Sequence, residues 1–429
     1  MHSMGRSIAR MPNTANRRRV SVLVGRFPCL SETFIRNEIH ALQQQGYAVE
    51  VISCAPRERS DVWLDTGLRV AVRHGPSGGP VRVLLSLLRF GICHPVSMAR
   101  LLCVALTSAP LRPQGMWLAM RAIDTACYFT AQLQREPGTH LHAHYLHLPA
   151  LVARMMARLW RVSYSVSAHA HDVFVAGFRA GSLCREARFV AVCSQHAHAH
   201  LERRLPPDQR GKLAVVHHGI PLSHFRLRTD RTWAGEDELR LLTVCRLVRK
   251  KGVDVVLRAL AVLQSQQVCF TYRIVGSGPE HQSLRDLSAQ LGLRAVEFLG
   301  AQTPRQVREM YAWADAFVLG CRTTANGDRD GVPNVILEAG ASGVPIVVSN
   351  AGGVAEIVRP GETGWLVPAE DPQALADALQ QLAQDSVLRG RIVRNARRLI
   401  EARFDISKNI VSLAQLLERE DGPECARYE

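Results

Sequence analysis

Residues 328–338 read DRDGVPNVILE and place a carboxylate on each side of a predicted helix start. The glycine and the proline between them suit a turn and a first helical turn, so the pattern predicts a helix over Asn334–Ala341. Asp330 would then lie in the loop before this helix, and Glu338 one to two turns inside it. Helix starts present free N–H groups and a positive dipole end, which suit a phosphate. The flanking carboxylates suit the hydroxyls of a sugar.

Length and composition indicate an ordinary globular protein. The chain has 429 residues, of which 47% are hydrophobic and 21% charged, so we expect two domains with separate cores. The formal net charge is +15, which fits a nucleic acid, an anionic membrane or a phosphorylated substrate, or a solvated basic surface without a partner. The charge is spread along the chain without a nucleic-acid-binding motif, so no nucleic-acid partner is expected.

The cysteines and the first residues favour a cytoplasmic protein. The 11 cysteines include no C-x-x-C pair, which favours reduced thiols over a disulfide framework. Residues 1–19 are basic without an apolar core, so we predict a disordered tail and not a signal peptide. No uncharged apolar stretch reaches the roughly 18–20 residues that a membrane-spanning helix needs.

Strand and helix patterns alternate along the chain, which predicts parallel sheets. The first predicted unit is a strand, a helix and a strand over 19–53, without a G-x-G-x-x-G motif. A polar stretch without periodicity predicts an interdomain linker. The predicted division is a basic tail at 1–19, an N-terminal domain at 20–220, a linker at 221–238, a C-terminal domain at 239–402, and a final helix with its tail at 403–429.

Residues 80–125 form an apolar helical region with arginines at intervals. Val81, Leu84, Leu85 and Leu88 share one helix face. This region could lie on a membrane surface, close to lipid-linked acceptors. The alternative is that its helices pack on the sheet of the N-terminal domain.

Seven short motifs follow one another between residues 246 and 367. They are RLVRKKG at 246–252, VGSGP at 275–279, FLG at 298–300, AD at 314–315, the carboxylate pair at 330 and 338, NAGG at 350–353 and GETGWLV at 361–367. Together they resemble the C-terminal domain of retaining GT-B glycosyltransferases of family 4. FPCLSETFI at 27–35 resembles an exopolysaccharide subgroup of that family, which includes colanic-acid-type glycosyltransferases. The chain departs from the family at Asp330, where the family has glutamate, and at Cys245, where it has glycine.

The resemblance implies an α/β protein of GT-B fold, in which two Rossmann-like domains with parallel sheets face a cleft. It implies a retaining, metal-independent hexosyltransferase that moves a sugar from a UDP- or GDP-sugar to a growing glycan, which we expect to be lipid-linked, in exopolysaccharide or cell-surface polysaccharide synthesis. The donor is a substrate, and no cofactor is expected. The expected location is the cytoplasm, with contact to the cytoplasmic membrane left open. The sugar, base, acceptor, linkage and oligomeric state are not indicated.

The resemblance also assigns a donor site. A transfer without a metal needs fixed cations for the leaving diphosphate, and Arg246 and Lys251 are implied to be that clamp, with Lys250 expected to point to solvent. Glu338 is implied to bind the ribose, and Asp330 the donor sugar. The other implied donor-binding residues are Gly276, Gly278, Gly331, Val332, Pro333 and Asn334.

His169 completes the implied catalytic set of His169, Asp330, Arg246 and Lys251. It follows a predicted strand end, where ligands gather in α/β proteins. Its position three residues before Asp172 matches the family histidine, which implies that it holds the donor sugar; the alternative is a structural histidine capped by Asp172.

Ser31, Glu32 and Thr33 open the first predicted helix and are implied to form the acceptor wall. The alternative for Ser31 is a simple helix cap.

The histidines raise the question of a metal site, and the resemblance leaves two other functions open. The other histidines match no defined zinc spacing, so no metal is expected. A GT-B nucleotide-sugar epimerase would release a free sugar without an acceptor. A non-catalytic nucleotide-sugar-binding subunit would bind the donor without turnover.

Overall fold

The structure is a computed structural model that describes residues 18–29, 32–58, 68–133, 136, 138–175, 179–228 and 238–419. Ser31, almost all of the predicted basic tail and residues 229–237 of the predicted linker lie outside these ranges.

The N-terminal domain is built on a seven-stranded parallel sheet in the order β3-β2-β1-β4-β5-β6-β7. Its central strands are buried along most of their length, as is usual for parallel sheets covered on both faces. The strands are β1 (Arg19–Val24), β2 (Ala48–Ser53), β3 (Ala71–His74), β4 (Thr139–His144), β5 (Tyr164–Ala168), β6 (Val190–Val192) and β7 (Leu213–Val215).

Nine helices accompany this sheet in the described part of the chain, and three of the longer ones begin with a proline in the first turn. They are α1 (Thr33–Gln44), α2 (Pro80–Cys93), α3 (Pro95–Ser108), α4 (Pro113–Gln132), α5 (Leu148–Trp160), α6 (Ala170–Phe174), α7 (Ala180–Arg185), α8 (Gln195–Arg204) and α9 (Pro207–Arg210).

The C-terminal domain has a six-stranded parallel sheet in the order β10-β9-β8-β11-β12-β13. Its strands are β8 (Leu239–Val244), β9 (Phe270–Val275), β10 (Val296–Gly300), β11 (Ala316–Leu319), β12 (Ile346–Ser349) and β13 (Trp365–Val367). Its helices are α10 (Val253–Ser265), α11 (His281–Gln290), α12 (Pro304–Trp313), α13 (Asn334–Ala341), α14 (Pro372–Gln384) and α15 (Ser386–Arg403).

The last helix, α16 (Ile406–Glu418), returns to the N-terminal domain. Its apolar face, which includes Ile410 and Leu413, belongs to the same buried cluster as Ile35 of α1. Just before it, Asp405 pairs with Ile220, so the two segments that connect the domains lie side by side. Gly219 permits this approach, because a Cβ there would lie 2.5 Å from the Cα of Ile406.

The two parallel-sheet, Rossmann-like domains confirm the predicted fold class. The helix predicted over Asn334–Ala341 has those bounds, and the strand, helix and strand predicted over 19–53 are β1, α1 and β2. The short strands β3 and β13 were not predicted. The region over 80–125 forms α2, α3 and most of α4, whose inner faces pack in the core of the N-terminal domain.

Candidate active site between the two domains

Helix α13 and the loop before it form the centre of the candidate site. Pro333 is the residue that precedes α13, as the first residue outside the helix. The preceding loop lies against the N-terminal domain, because a Cβ on Gly331 would lie 3.2 Å from the Sγ of Cys193 and 3.7 Å from the Cβ of Ala170. Val332 and Asn334 are half-buried on either side of Pro333. The start of α13 therefore lies where the two domains meet.

Asp330 is bound by two lysines from the loop after β8. The Nζ of Lys251 lies 2.6 Å from Oδ2 of Asp330, and the Nζ of Lys250 lies 3.5 Å from Oδ1. Burial alone would raise the pKa of Asp330, but the two lysines outweigh burial and lower it. Conversely, burial alone would lower the pKa of Lys251, and Asp330 raises it above the ordinary value. The carboxylate of Asp330 and the ammonium group of Lys251 are therefore charged together.

The expectation that Lys250 points to solvent is wrong. Its Nζ donates to Oδ1 of Asp328 at 2.9 Å, and only 13% of its side chain is exposed. Lys250 was misassigned because a run of basic residues in a turn is usually solvated, whereas here the acidic loop 328–330 folds over it.

Glycines set the positions of the basic residues. Gly252 has φ of 59°, and a Cβ there would lie 1.7 Å from the carbonyl oxygen of Gly320, so only glycine fits the turn after Lys251. Gly276 has φ of 133°, and its Cβ would lie 1.8 Å from the carbonyl oxygen of Cys245. A Cβ on Gly278 would likewise lie 2.3 Å from the carbonyl oxygen of Leu247. The two glycines after β9 thus pack against the loop that carries Arg246.

Arg246 is exposed and faces the N-terminal domain. Burial raises the pKa of Glu32, and a hydrogen bond from Tyr145 and the charge of Arg246 only partly offset this. The hydroxyl of Tyr145 donates to Oε1 of Glu32 at 2.8 Å. Thr33 begins α1 beside this pair, and Ser31 lies outside the described residues. Glu32, from the predicted acceptor wall, therefore lies near a residue of the predicted donor clamp.

Glu338 lies inside α13 with one protein partner. The hydroxyl of Tyr311 donates to its Oε2 at 3.0 Å. Burial raises the pKa of Glu338 to about 7, and the hydrogen bond from Tyr311 and the charge of Arg36 only partly oppose this shift. Arg36 belongs to α1 of the other domain. Glu338 thus has an unusual pKa in the region between the domains, a common property of functional carboxylates.

His169 lies at the end of β5 within a group of histidines. Its Nε2 lies 3.1 Å from Nδ1 of His144, and its Nδ1 lies 3.0 Å from Nε2 of His218. Its backbone N–H donates to Oδ1 of Asp172 at 2.8 Å, in the capping arrangement that was the structural alternative for this residue. Both ring nitrogens of His169 are therefore engaged within the protein, and Ala170 next to it reaches the Asp330–Gly331 loop.

Sequence reasoning missed His144 and His218 as partners of His169. The alternation of histidines on β4 was visible, but the chain does not show which strand ends become neighbours. Among the described residues, two groups could hold a metal ion, with ligand atoms within 4.8 Å of one another: Glu38 with His142 and His144, and His169 with Cys193 and His218.

Glu356 is a third residue that the sequence did not reveal, and it joins the domains. Its carboxylate accepts the backbone N–H groups of Gln195 at 3.1 Å and His196 at 2.9 Å, at the start of α8. It also lies 3.1 Å from Nε2 of His217. The glycine pair just before it offered a signal, because Gly352 has φ of 63° and a Cβ there would lie 1.9 Å from the carbonyl oxygen of Asp330. The turn that positions Glu356 therefore also supports the Asp330 loop.

Two Rossmann-like domains with this basic, helix-based site between them form a GT-B fold. The chain is similar in fold to the Anabaena protein Alr3699/HepE, whose crystal structure is in complex with UDP and glucose, with a TM-score of 0.66, 18% identity, and coverage of 94% of this chain and 100% of that one.

Residues 229–399 match the family Glycosyl transferases group 1, in agreement with the family that the motifs of the C-terminal domain predicted. The chain therefore contains a group 1 glycosyltransferase domain. It is 28% identical over 93% of its length to the whole of WcaL, a colanic acid biosynthesis glycosyltransferase of Salmonella typhimurium. It is also 34% identical to the amylovoran biosynthesis glycosyltransferase AmsK of Erwinia amylovora, over 48% of this chain and 51% of AmsK.

Proposed function

We propose that this protein transfers a sugar from a UDP- or GDP-sugar to a growing lipid-linked glycan in exopolysaccharide synthesis, with retention of the anomeric configuration. The observation that carries the proposal is the grouping of Lys251, Asp330 and the start of α13 at the junction of the domains. The similarity to WcaL and AmsK supports the exopolysaccharide pathway.

The donor diphosphate would lie at the start of α13, between Arg246 and Lys251. Free N–H groups and two cations meet the charge that develops on the leaving group, so the transfer requires no metal ion. Lys251 is already charged and held by Asp330 before the donor arrives, so little reorganisation is needed. Glu338 would accept ribose hydroxyls, and Asp330 would contact the donor sugar. The glycosyl–phosphate bond breaks, the bond to the acceptor oxygen forms on the same face, and the leaving phosphate takes the acceptor proton.

A thermal-shift panel of UDP, GDP and ADP tests the donor site first. We expect one nucleotide to raise the Tm of the wild type, and Glu338→Ala to reduce that shift. Absence of a shift with every nucleotide contradicts the donor site. The transfer itself is tested with the selected sugar nucleotide and membrane-extracted acceptors, followed by NMR of the product. A product of inverted configuration contradicts retention, a free sugar epimer supports an epimerase, and donor binding without any turnover supports a non-catalytic subunit.

We also propose that the enzyme works at the cytoplasmic surface of the membrane through α2, α3 and the start of α4. Among the described residues, no helix is long and apolar enough to cross a bilayer. Most of the large hydrophobic side chains that are exposed in the described residues belong to this one region, namely Val81, Leu84, Leu85, Leu88, Ile92, Val96, Leu102, Leu106, Leu111 and Met116. Such concentration marks an interaction surface.

The charges around this face favour an anionic bilayer over an apolar protein partner. Arginines recur through it at Arg89, Arg100, Arg112 and Arg121, and no acidic residue occurs between positions 80 and 123. Arg82 does not add to this charge, because it is paired with the buried Asp124. Basic side chains next to apolar ones are typical of helices that lie in the headgroup region. Docking there would bring the enzyme to an acceptor that is anchored in the same membrane.

Vesicle sedimentation tests this docking. The wild type is expected to bind vesicles of phosphatidylcholine and phosphatidylglycerol, and to bind vesicles of phosphatidylcholine alone less well. Leu84→Glu with Leu88→Glu should weaken binding about ten-fold or more. The matched control is Val387→Glu with Val411→Glu, two exposed apolar residues far along the chain, which should bind as the wild type does. Equal binding of both double variants, or no binding by the wild type, contradicts the proposal.

A further inference from the structure

Four side chains of the N-terminal domain form a continuous chain of short contacts. Oε1 of Glu38 lies 3.1 Å from Nε2 of His144, Nδ1 of His144 lies 3.1 Å from Nε2 of His169, and Nδ1 of His169 lies 3.0 Å from Nε2 of His218. Glu38, His144 and His169 are buried, and His218 is half-buried. The rings are nearly parallel, with interplanar angles of 16° and 14° along the chain.

The four residues come from four separate elements. Glu38 belongs to α1, His144 ends β4, His169 follows β5, and His218 follows β7. The ring of Phe34, one turn before Glu38 on α1, lies against His169 and His218 with centroid distances of 4.8 and 4.4 Å. The chain of rings is thus enclosed by the fold and cannot rearrange by simple rotation of one side chain.

Glu38, at one end of these four side chains, determines which ring nitrogens donate hydrogen bonds and which accept them. Nε2 of His144 lies 3.1 Å from Oε1 of Glu38, although the two atoms are not aligned as a hydrogen bond. A lone pair on Nε2 would face the negative oxygen and be repelled, so Nε2 of His144 carries the proton. With that proton on Nε2, Nδ1 of His144 accepts from Nε2–H of His169, whose own Nδ1 then accepts from Nε2–H of His218. Burial lowers the pKa of both His169 and His218, so these two rings are neutral near pH 7. Burial by itself would raise the pKa of Glu38, but His144 outweighs it and lowers the value to about 2, so this acid is ionised.

We propose that Glu38 is a positioning residue that fixes the tautomer and the orientation of His169 through His144. His169 is held with Nε2–H toward His144 and with the lone pair of Nδ1 toward His218. The importance of this for transfer rests on the proposed function together with the role that the family resemblance implies for His169, namely holding the donor sugar. Without a carboxylate at position 38, the hydrogen bonds between the histidines could run in either direction. The ring of His169 would then sample both tautomers.

The alternative is that some of these side chains bind a metal ion. Glu38, His142 and His144 bring three ligand atoms within 4.8 Å of one another. Against this, Nε2 of His142 already lies 2.9 Å from Oγ of Ser167, and its Nδ1 lies 2.7 Å from Oγ of Ser165. A metal on Nε2 of His144 would place the proton on Nδ1 and so reverse the direction of the chain. The two arrangements are therefore distinguishable by the tautomer of His169.

Long-range ¹H–¹⁵N NMR of histidine-labelled protein reads these tautomers without any activity. The signals of His169 and His218 are assigned by His169→Gln and His218→Gln. We expect a single Nε2–H tautomer for His169 in the wild type, averaged signals in Glu38→Leu, and recovery of the single tautomer in Glu38→Gln, whose amide oxygen still accepts. Signals of His169 that are the same in wild type and Glu38→Leu overturn the proposal, as does one equivalent of metal in the purified protein by mass spectrometry.

Kinetics supply the second measurement. Glu38→Leu should lower kcat about ten-fold and leave the KM for the donor within about two-fold, whereas Glu38→Gln should retain most of kcat. The control is His140→Asn, which removes a buried histidine of the same strand that bonds to Ser163 and Ser165 and does not contact Glu38. Equal losses in Glu38→Leu and His140→Asn would show only general disturbance of the core and overturn the positioning role. If the wild type transfers no sugar, the NMR result still decides the role of Glu38, so the two proposals fail separately.

Discussion

The two domains build their halves of the site in different ways. In the C-terminal domain the charged groups come from short stretches, with Lys250 and Lys251 adjacent in one loop and Asp330 close to the start of α13 in another. In the N-terminal domain Glu38 and His218 belong to one chain of contacts although 179 residues and six strands separate them. The C-terminal part of the site is therefore built from residues that are close in sequence. The N-terminal part depends on which strand ends become neighbours in the sheet.

The largest effect is expected from the C-terminal half. Lys251→Met should lower turnover about 100-fold, because it removes a cation from the proposed diphosphate site and leaves the buried Asp330 with Lys250 alone. Steady-state kinetics with the donor identified by thermal shift measure this. Lys408→Met is the control, since Lys408 is an exposed residue of α16. Turnover close to that of the wild type in Lys251→Met would remove the clamp assignment.

The next effect concerns the raised pKa of Glu338. Glu338→Gln should weaken nucleotide binding about ten-fold, because an amide accepts fewer hydrogen bonds than a carboxylate. Calorimetric titration measures the affinity. Wild-type binding should itself weaken as pH falls through about 7, when Glu338 becomes protonated. Affinity that is independent of pH between 6 and 8 would contradict the ribose role.

The raised pKa of Glu338 also makes the stability of the folded protein depend on pH. Stability should fall as pH rises, whereas nucleotide binding should become stronger. The pKa of Glu338 in the folded protein, about 7, is above its ordinary value of 4.5, so its stabilising effect is present below pH 4.5 and is lost as pH rises through 7. Glu338→Gln should therefore raise the Tm of the ligand-free protein at pH 8 and change it little at pH 4.5. A lower Tm of Glu338→Gln than of the wild type at pH 8 would contradict this, because it would show that the folded protein stabilises the ionised carboxylate.

A smaller effect is expected where the two halves meet. Glu356→Ala should lower turnover about three- to five-fold, because the start of α8 loses the acceptor that ties it to the C-terminal domain. Glu362→Ala is the matched control, since Glu362 is exposed and pairs only with Arg359 among the described residues. Equal rates in both variants would show that this contact does not matter for transfer.

The smallest effect is expected from a conservative change in the loop before α13. Asp330→Glu restores the residue that the family has at this position, and we expect turnover within about three-fold of the wild type. The longer side chain can still reach Lys251, whose Nζ lies 2.6 Å from the present carboxylate. A loss greater than ten-fold would show that the loop has adapted to the shorter acid.

The elements of the C-terminal half could be predicted from the sequence because its motifs are local. Spacing indicated helix α13 and the loop before it, whereas the roles of Arg246 and Lys251 came from the family resemblance and stay predictions. Lys250 was misplaced because its partner Asp328 lies 78 positions away. β3 was missed because it is a four-residue edge strand with alternating exposed residues.

The histidine chain could not be predicted from periodicity or spacing. Each of its residues is an ordinary buried polar residue in its own element, and only the order β1-β4-β5-β6-β7 places the ends of these strands in a row. The family resemblance pointed to His169 but not to its neighbours. Glu356 was missed for the same reason, since its partners belong to the other domain.

The side-by-side passage of Ile220 and Asp405 has a mechanical consequence. Because both covalent connections cross at nearly one point, they act together as a single pivot, and a small rotation there produces a larger opening at the far edge of the cleft. A rotation about this point would have to break the hydrogen bonds that Glu356 accepts from Gln195 and His196 at the start of α8. Substrate entry in this enzyme would therefore be a rotation about one fixed corner of the molecule, with α16 travelling as part of the N-terminal domain.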